Sequence, residues 1–546
     1  MRKPLTAVLV ALLTILVRAA PAEPDFSAAR YKAHVTFLAD DLLEGREAGT
    51  RGHELAARYI ASQFELLDVR PGGRAGSYFD PVTLIEATAT GAPPAVVVTT
   101  PSGVRRLEQK RDAGIVGPLA GGTARVDAPL VFVGYGMEDA AMGFDDYQGL
   151  DVRGKIAVAL FGSPKAIDSE IGAHLTTQQR RVAAAHGAVG MMLIPTRLMS
   201  AAFPWDKLCE IASAPAIGWV QTDGTPAGRA AGLTPFAFID PATAGDLFEA
   251  SGTSLAQILD EADKDRGRPK GLPLKASAVL SITTSARRFT SPEVIGVIDG
   301  ADPALKTEYV ALMAHADHIG VTANGGGDRI NNGALDNAAG VATLLEVARA
   351  FATSAERPRR SILLIANTAE EKGLLGAEYF ARNPTVPAAR ITAAIDLDMP
   401  MLLYDFTDVV AYGATHSTLQ GVVDRAAGSM NVKLSPDPMP EQAVFVRSDH
   451  YPMVKAGIPA VMLATGMANG GAAAWGRFLS RNYHQPSDDV TQPILWQAGA
   501  KFAELNYRIV RSLADADTPP RWYENDYFGN VFAPHAAKAP RPGAPR

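Results

Sequence analysis

One stretch, residues 309–380, constrains the fold most, because it alternates strand and helix and places ionisable side chains at strand ends. The apolar run 309–314 predicts a buried strand that stops at His315, and residues 338–351 predict a helix that begins just after Asp336. The next predicted strand, 362–366, is followed by the paired acids Glu370 and Glu371. Parallel strands joined by helices bring their carboxyl ends to one sheet edge, where ligands bind. Histidine, aspartate and glutamate together form a ligand set that suits zinc.

The same alternation continues towards the C-terminus. Strands are predicted at 294–298, 392–397, 408–412 and 460–463, and helices at 373–381, 419–427 and 494–513. This order predicts an α/β fold with a mostly parallel mixed sheet flanked by helices. Between residues 126 and 279 the pattern of predicted elements changes to short β-rich segments separated by turns. His174 and His186 are the histidines of that segment, and neither neighbours a ligand cluster, so we expect an inserted β-rich module without a catalytic set.

Length, charge and cysteine content exclude several classes of protein. A chain of 546 residues exceeds what one hydrophobic core usually holds, so more than one lobe is expected. The formal net charge is −6, so the chain lacks the excess of positive charge that nucleic-acid-binding proteins usually have, and we expect no nucleic-acid partner. Cys209 is the single cysteine, which excludes an internal disulfide and a metal cluster held by thiolates.

The two ends of the chain differ from the rest. Residues 1–3 are basic at positions 2 and 3, residues 5–17 are apolar, and Ala20-Pro21-Ala22 fits the small-residue cleavage pattern. This combination predicts a signal peptide over residues 1–22 and an exported protein, periplasmic or secreted, with no membrane span in the mature chain. Proline, alanine and arginine dominate residues 536–546, so the tail over 516–546 is expected to be partly disordered.

Five histidine or carboxylate positions follow predicted strands or precede predicted helices. Two divalent ions roughly 3.5–4 Å apart require a bridging ligand. A carboxylate has two oxygens and can bridge them, whereas a neutral imidazole offers one lone pair and cannot. An aspartate in the middle of the series is therefore the natural bridge. The five positions are His315, Asp336, Glu371, Asp398 and His484.

Short motifs around these positions carry a resemblance to a known family. They read AHADH at 314–318, NGALDNAAG at 332–340, EEKGLLG at 370–376, DLDM at 396–399, RSDH at 447–450 and YH at 483–484. In combination they resemble the M28 co-catalytic zinc aminopeptidases. The segments LEGR at 43–46 and GTRG at 49–52 are similar to the family's N-terminal motif. The insert resembles the protease-associated (PA) domain of one branch of the family.

The resemblance implies a division of the chain and a set of metal ligands. A discontinuous catalytic domain is expected over 27–125 and 280–515, with the PA-like domain over 126–279. Two zinc ions per chain are implied. His315 and Asp398 are expected to hold one zinc ion, Glu371 and His484 the other, and Asp336 both.

Further roles follow from the same resemblance. Glu370 is expected to be the general base rather than a ligand, and Tyr483 to help stabilise the tetrahedral intermediate. Asp317 is expected to accept a hydrogen bond from His315 and so fix its tautomer. A cis peptide bond is implied between Asp336 and Asn337.

The function implied is that of an exported metallo-aminopeptidase. It would hydrolyse the N-terminal peptide bond of peptides that have a free N-terminus. The attacking water would be activated by two zinc ions, with Glu370 as the base. Adjacent glutamates in a turn point in different directions, so one can bind metal while the other moves a proton.

Other functions are compatible with parts of this pattern. An M20-like carboxypeptidase or deacylase uses a similar ligand order, but usually has a domain inserted before the last histidine, where the interval from Asp398 to His484 is short. Glutaminyl cyclisation by a one-zinc relative, and a non-catalytic receptor or binding protein on the same scaffold, both predict an incomplete set of ligands or base. The preferred N-terminal residue, the peptide length, the oligomeric state and the role of the insert are left open.

Overall fold

The structure is a computed structural model, which describes residues 24–228, 231–323 and 327–543. The expected signal peptide over residues 1–22 lies outside these ranges, so it stays a prediction. Among the helices of the described ranges, none is long and apolar enough to cross a membrane.

The α-helices span lengths from a single turn to five turns. In chain order they are α1 Ala28–Leu38, α2 Arg51–Leu66, α3 Ser169–Ala185, α4 Arg197–Ala202, α5 Trp205–Ser213, α6 Asp246–Glu249, α7 Leu255–Ala262, α8 Ala339–Thr353, α9 Leu375–Arg382, α10 Leu419–Ser429, α11 His450–Lys455, α12 Gly471–Arg481, α13 Trp496–Asp515 and α14 Tyr527–Phe532.

The strands belong almost entirely to one continuous 18-stranded sheet. In chain order they are β1 Arg70–Pro71, β2 Phe79–Ala89, β3 Ala95–Thr100, β4 Gly103–Leu107, β5 Ala113–Val116, β6 Gly122–Phe132, β7 Glu138–Asp139, β8 Phe144–Asp145, β9 Ile156–Phe161, β10 Gly190–Pro195, β11 Ala216–Val220, β12 Pro226–Ala227, β13 Phe236–Ile239, β14 Leu272–Ile298, β15 Tyr309–His315, β16 Ser361–Asn367, β17 Ile391–Asp396, β18 Asp408–Tyr412, β19 Lys433–Ser435 and β20 Ala460–Thr465.

The predicted α/β class is confirmed by the central part of this sheet. Strands β16, β15, β17 and β20 are parallel neighbours in that order, with antiparallel β14 and β18 on either side. Every residue of β16 is buried, because helices cover both faces of the sheet. Helices α1, α8 and α13 pack together on one face, where Tyr31 donates a 2.6 Å hydrogen bond to the carbonyl of Ala339. The ends of β15, β16 and β17 meet at one edge, and this edge carries the candidate site.

A second lobe has its own hydrophobic core. Strands β6, β9, β10 and β13 are parallel neighbours, and β5 closes that side as an antiparallel strand. Buried residues from Val96 to Ile282 form this core, so residues before position 126 contribute to it, and the predicted domain bounds 126–279 stay a prediction. The reason is that β3 and β5 pair with strands of the second lobe and bury Val96, Val98 and Ile115 there. The likeness of this lobe to a PA domain stays a prediction.

Strand β14 joins the two lobes. It runs for 27 residues and pairs with β6 and β3 in the second lobe, then with β2, and finally with β16 in the central sheet. Leu280 lies in the second core, whereas Ile295 lies in the first. One strand therefore contributes to both cores.

The described part of the C-terminal tail is packed, and partial disorder of residues 516–546 stays a prediction. Trp522 and Phe528 are buried in the first core, because the segment carries large aromatic side chains ahead of its proline-rich end. The indole of Trp522 donates a 2.9 Å hydrogen bond to the carbonyl of Gly457. The hydroxyl of Tyr527 donates to the carboxylate of Asp139 in the second lobe, at 2.7 Å. The segment thus contacts both lobes.

Candidate metal centre and its cavity

The five predicted ligand residues converge at the carboxyl ends of the central strands. Asp336 lies at their centre and presents its two oxygens to different histidines. Its Oδ1 lies 3.4 Å from Nε2 of His315, and its Oδ2 lies 3.3 Å from Nε2 of His484. Asp398 Oδ1 lies 3.2 Å from Nε2 of His315, and Glu371 Oε2 lies 3.2 Å from Nε2 of His484. The residues therefore form two groups that share Asp336.

His315 is the last residue of β15, and its ring is oriented by the loop that follows. Its Nδ1 lies 3.2 Å from the backbone carbonyl oxygen of Asp317, an arrangement that leaves Nε2 directed at the carboxylates. The predicted hydrogen bond from His315 to the Asp317 carboxylate is not formed, since the nearest oxygen is 4.0 Å away. The loop turns so that the carbonyl faces the ring, while Oδ1 of Asp317 accepts a 3.2 Å hydrogen bond from the amide of Glu370.

Asp336 is held by residues on two other segments. The buried carboxylate of Asp488 accepts hydrogen bonds from the amides of Leu335 and Asp336, at 3.1 and 3.0 Å. The side chain of Asn337 donates to the carbonyl of Leu397 at 2.8 Å, which connects this loop to the segment that carries Asp398. The expected cis peptide bond between Asp336 and Asn337 is present.

Gly340 is required for this connection. A Cβ atom at Gly340 would lie 2.1 Å from Oδ1 of Asn337 and 2.2 Å from the carbonyl oxygen of Leu397. The amide of Gly340 also donates a 3.0 Å hydrogen bond to that same Asn337 oxygen. The start of α8 can therefore approach the strand end only because position 340 has no side chain.

Asp398 and Glu371 each direct one oxygen at a candidate ligand histidine, and a neighbouring side chain holds the other oxygen. The hydroxyl of Ser448 lies 2.7 Å from Oδ2 of Asp398 and 2.8 Å from Oδ2 of Asp396. The buried ring of His318 lies with Nδ1 2.7 Å from Oε1 of Glu371. Such partners orient metal-binding carboxylates and limit their rotation.

Arg46 connects the loops that carry the candidate ligands. It is 1 % exposed and donates hydrogen bonds to the carbonyl oxygens of Ala316 at 3.0 Å and Asn332 at 2.5 Å. It also donates to the carbonyl oxygens of Leu38 and Gly333. Burial lowers the pKa of Arg46 to about 10, so its charge persists at neutral pH. The guanidinium is thus a buried positive charge beside a group of acids.

The pKa values of the histidines and acids show that the site carries excess negative charge. Burial favours a neutral ring at His315, but Asp398, Glu370 and Asp336 raise its pKa well above the ordinary value. Burial likewise disfavours the cation at His484, yet Asp336 and Glu371 raise its pKa to about 10. Burial opposes ionisation of Glu371, and the neighbouring histidines hold its pKa well below its usual range. A divalent cation would satisfy the same oxygens while displacing protons from the rings.

The arrangement fits a metal better than it fits a set of ion pairs. Ligand atoms of His315, Asp336 and Glu371 all lie within 4.8 Å of one another. The buried Nε2 atom of His484 makes no hydrogen bond with the described residues, although two carboxylate oxygens lie near it. A ring nitrogen that faces carboxylates without bonding to them is what a shared cation requires.

Glu370 and Tyr483 line the cavity above these residues. The cavity has a volume of about 440 Å³, and Ala202 on α4 brings the second lobe to its rim. No hydrogen bond from a described residue reaches the Glu370 carboxylate. Burial, with a further contribution from Glu371, raises the pKa of Glu370 well above its usual value. Tyr483 stacks on His484 with ring centroids 3.9 Å apart, and burial raises its pKa, so the phenol stays protonated.

Several residues that shape the site were not singled out from the sequence. Asp488 lies four positions after His484 in the same loop, and that proximity is a signal that could have found it. Ser448 belongs to the RSDH motif but was not given a role. Arg46 is the last residue of the LEGR segment but was not given a role, because the sequence does not signal that it binds backbone carbonyls.

Comparison with known proteins agrees with this geometry. Residues 293–510 match the family model described as Peptidase family M28. This part of the chain is thus similar to peptidase family M28. Its fold resembles that of an aminopeptidase from Aneurinibacillus sp. strain AM-1, with a TM-score of 0.51 and 19 % identity over 92 % of this chain and 97 % of that chain. The matched region carries all five candidate ligand residues and Glu370.

Similarity to curated proteins is confined to shorter segments. The chain is 28 % identical over 224 residues to Leupeptin-inactivating enzyme 1 of Streptomyces exfoliatus, covering 38 % of this chain and 47 % of that protein. It is 39 % identical over 70 residues to a vacuolar membrane protease of Pyricularia oryzae, covering 12 % of this chain and 7 % of that protein. The matched segments thus span less than half the length of these relatives.

Proposed function

We propose that the protein is an exported metallo-aminopeptidase that uses two zinc ions to hydrolyse the N-terminal peptide bond of peptides. The observation that carries the proposal is the placement of Asp336, whose two oxygens lie 3.4 and 3.3 Å from Nε2 atoms of different histidines. One ion would be held by His315 and Asp398, and the other by Glu371 and His484. Export rests on the signal-peptide pattern of residues 1–22.

The bound metal would polarise the scissile carbonyl and lower the pKa of water. Glu370 faces the same cavity as Asp336 and Asp398, with its carboxylate free to take a proton from water and pass it to the leaving amine. Tyr483 lines the cavity with a protonated phenol, which can donate a hydrogen bond to an oxyanion. The acids of the site would also attract the ammonium group of a free N-terminus, which favours removal of the first residue.

The name of the structural neighbour supports the amino-terminal specificity, since that protein is called an aminopeptidase. Glu370 and four of the five ligand residues line one cavity, and the fifth, His315, lies beside Asp336 and Asp398. This complete set argues against a non-catalytic binding protein.

The test combines metal counting with matched substrates. Purified protein is expected to contain two zinc ions per chain and to cleave leucine p-nitroanilide but not N-acetyl-leucine p-nitroanilide. Removal of zinc with a chelator should abolish cleavage, and added zinc should restore it. Cleavage of the acetylated substrate, or release of C-terminal residues from peptides, would favour the M20-like alternative. Fewer than two metals with no chelator-sensitive activity would refute the proposal.

A further inference from the structure

Tyr412, the last residue of β18, separates two cavities. One is the catalytic cavity, which Tyr412 lines together with Asp336 and Glu370. The other has a volume of about 530 Å³ and lies between β18, the loop that follows it and α10. Tyr412 is 6 % exposed, and no described residue makes a hydrogen bond to its hydroxyl group. Its side chain is therefore a buried boundary that few polar contacts hold in place.

Part of the wall of the catalytic cavity is apolar. Met399, Met462, Trp475 and Val444 line it there, close to Tyr412. An aliphatic side chain of a substrate would be well accommodated at this wall. A guanidinium or ammonium group placed there would lose its hydration without gaining a charged partner, which is costly.

The cavity behind Tyr412 is acidic, and we call it the rear pocket. Glu170, Asp424 and Asp437 line it, and the described lining includes no lysine, arginine or histidine. Glu170 is paired with His416 at 2.8 Å. Asp424 and Asp437 form no ion pair with residues in the described ranges. Charge on Asp437 affects Tyr412, whose pKa is raised by burial first and by this carboxylate second.

We infer that Tyr412 is a specificity-determining residue that closes the catalytic cavity and keeps cationic N-terminal side chains away from the rear pocket. This inference rests on the proposed aminopeptidase function. It adds the residue that limits which side chain the N-terminal residue of the substrate can have. In the native protein an arginine or lysine side chain would end against the tyrosine ring. With the ring removed, the same side chain could extend into the rear pocket and pair with Asp437.

The experiment compares kcat/KM for arginine and leucine p-nitroanilides in the native protein and in Tyr412→Ala. The ratio of arginine to leucine is expected to rise about tenfold or more in Tyr412→Ala. Tyr412→Phe keeps the ring and should leave the ratio unchanged. In the double variant Tyr412→Ala with Asp437→Asn, most of the gain should disappear. Burial raises the pKa of Asp437, so the assays belong at pH 8, where the carboxylate is ionised.

The outcomes distinguish this inference from the proposed function. If Tyr412→Ala melts at a much lower temperature than the native protein, Tyr412→Leu is used instead, because leucine is smaller than tyrosine but keeps an apolar surface. The ratio of kcat/KM for arginine and leucine p-nitroanilides is then measured in Tyr412→Leu. An unchanged ratio in the folded variant with normal leucine activity overturns the inference alone. A gain that persists in the double variant overturns the role of the rear pocket. Absence of aminopeptidase activity from the native protein overturns both.

Discussion

Nη2 of Arg46 donates a 3.1 Å hydrogen bond to the carbonyl oxygen of Gly333, three residues before the candidate bridging ligand Asp336. The same guanidinium reaches the carbonyl of Ala316, next to His315. A single buried cation therefore holds two loops whose side chains must meet at one metal centre. Because the backbone, not a carboxylate, accepts these bonds, the positive charge of Arg46 remains available to offset the acids of the site.

Replacement of Arg46 is expected to damage folding and metal binding together. Arg46→Met would leave several buried carbonyl oxygens without a donor, and each costs about 1–3 kcal/mol. We expect the free energy of unfolding, measured in urea, to fall by about 3 kcal/mol or more. Arg58→Met is the control, because Arg58 forms an exposed pair with Glu54 and only a distant contact, 5.9 Å, with the ring of Phe79. This change should alter the same quantity by less than about 0.5 kcal/mol. Equal losses in the two variants would contradict the role given to Arg46.

Glu370→Gln separates proton transfer from metal binding. The amide has nearly the shape of the carboxylate but cannot take a proton, so turnover should fall by about 10²–10⁴-fold. Zinc content, measured by atomic absorption, should be unchanged, because Glu370 is not among the proposed ligands. Glu371→Gln is the matched control on the adjacent residue, and it should lose zinc. Retained turnover in Glu370→Gln would remove this residue as the base.

His318 is expected to raise zinc affinity through Glu371. Its Nδ1 lies 2.7 Å from Oε1 of that carboxylate, and loss of such a partner typically weakens metal binding by about 10–100-fold. His318→Leu should show this loss in competition with a coloured chelator. His318→Asn retains a donor near the Nδ1 position and should recover much of the affinity. If the two variants bind zinc equally well, the hydrogen bond has no such role.

The ion pairs of His416 should make stability depend on pH. Its ring contacts Asp526 at 2.7 Å and Glu170 of the second lobe at 2.8 Å. Burial disfavours the charged ring, but these carboxylates raise its pKa to about 9. The ordinary value in an unfolded chain is about 6.5. The raised pKa therefore contributes stability that is fully present below about pH 6.5 and is lost as the pH rises through about 9.

The measurement is the difference in unfolding free energy between the native protein and His416→Asn at pH 6 and at pH 10. We expect the difference to shrink by about 3 kcal/mol at the higher pH. His186→Asn is the control, because His186 pairs with Glu138 near the surface. The difference in unfolding free energy between the native protein and His186→Asn should be small at both pH values. A His416 difference that is the same at pH 6 and pH 10 would contradict the expectation.

The convergence of the candidate ligand residues could be predicted because each lies at the end of a regular element. His315 ends a strand, Asp336 precedes a helix and Glu371 follows a strand, and parallel topology brings such positions together. Arg46 could not be predicted in the same way. One of its partners is a carbonyl 286 residues away in the sequence, and any residue has a carbonyl.

The division between the two lobes is difficult to predict for a different reason. Hydrophobic periodicity indicates that a strand has a buried face, but not which core the face belongs to. Along β14 the buried residues pass from Leu280 in the second core to Ile295 in the first without a turn or a change in composition. The order of elements therefore predicts the fold class, whereas the assignment of each strand residue to a core needs the packing.

Strand β14 also bears on how a peptide reaches the metal centre. A lid that opens needs a flexible segment at its base. Here β14 is paired from the second lobe into the central sheet, with one register shift between Pro273 and Ser277, so a ladder of paired strands joins the lobes. Rotation of the lobe would have to break that ladder. The side of the cavity formed by α4 is thus expected to stay fixed. The width of the cavity entrance in this structure, rather than a closing motion of the lobe, would then set the size of the largest substrate.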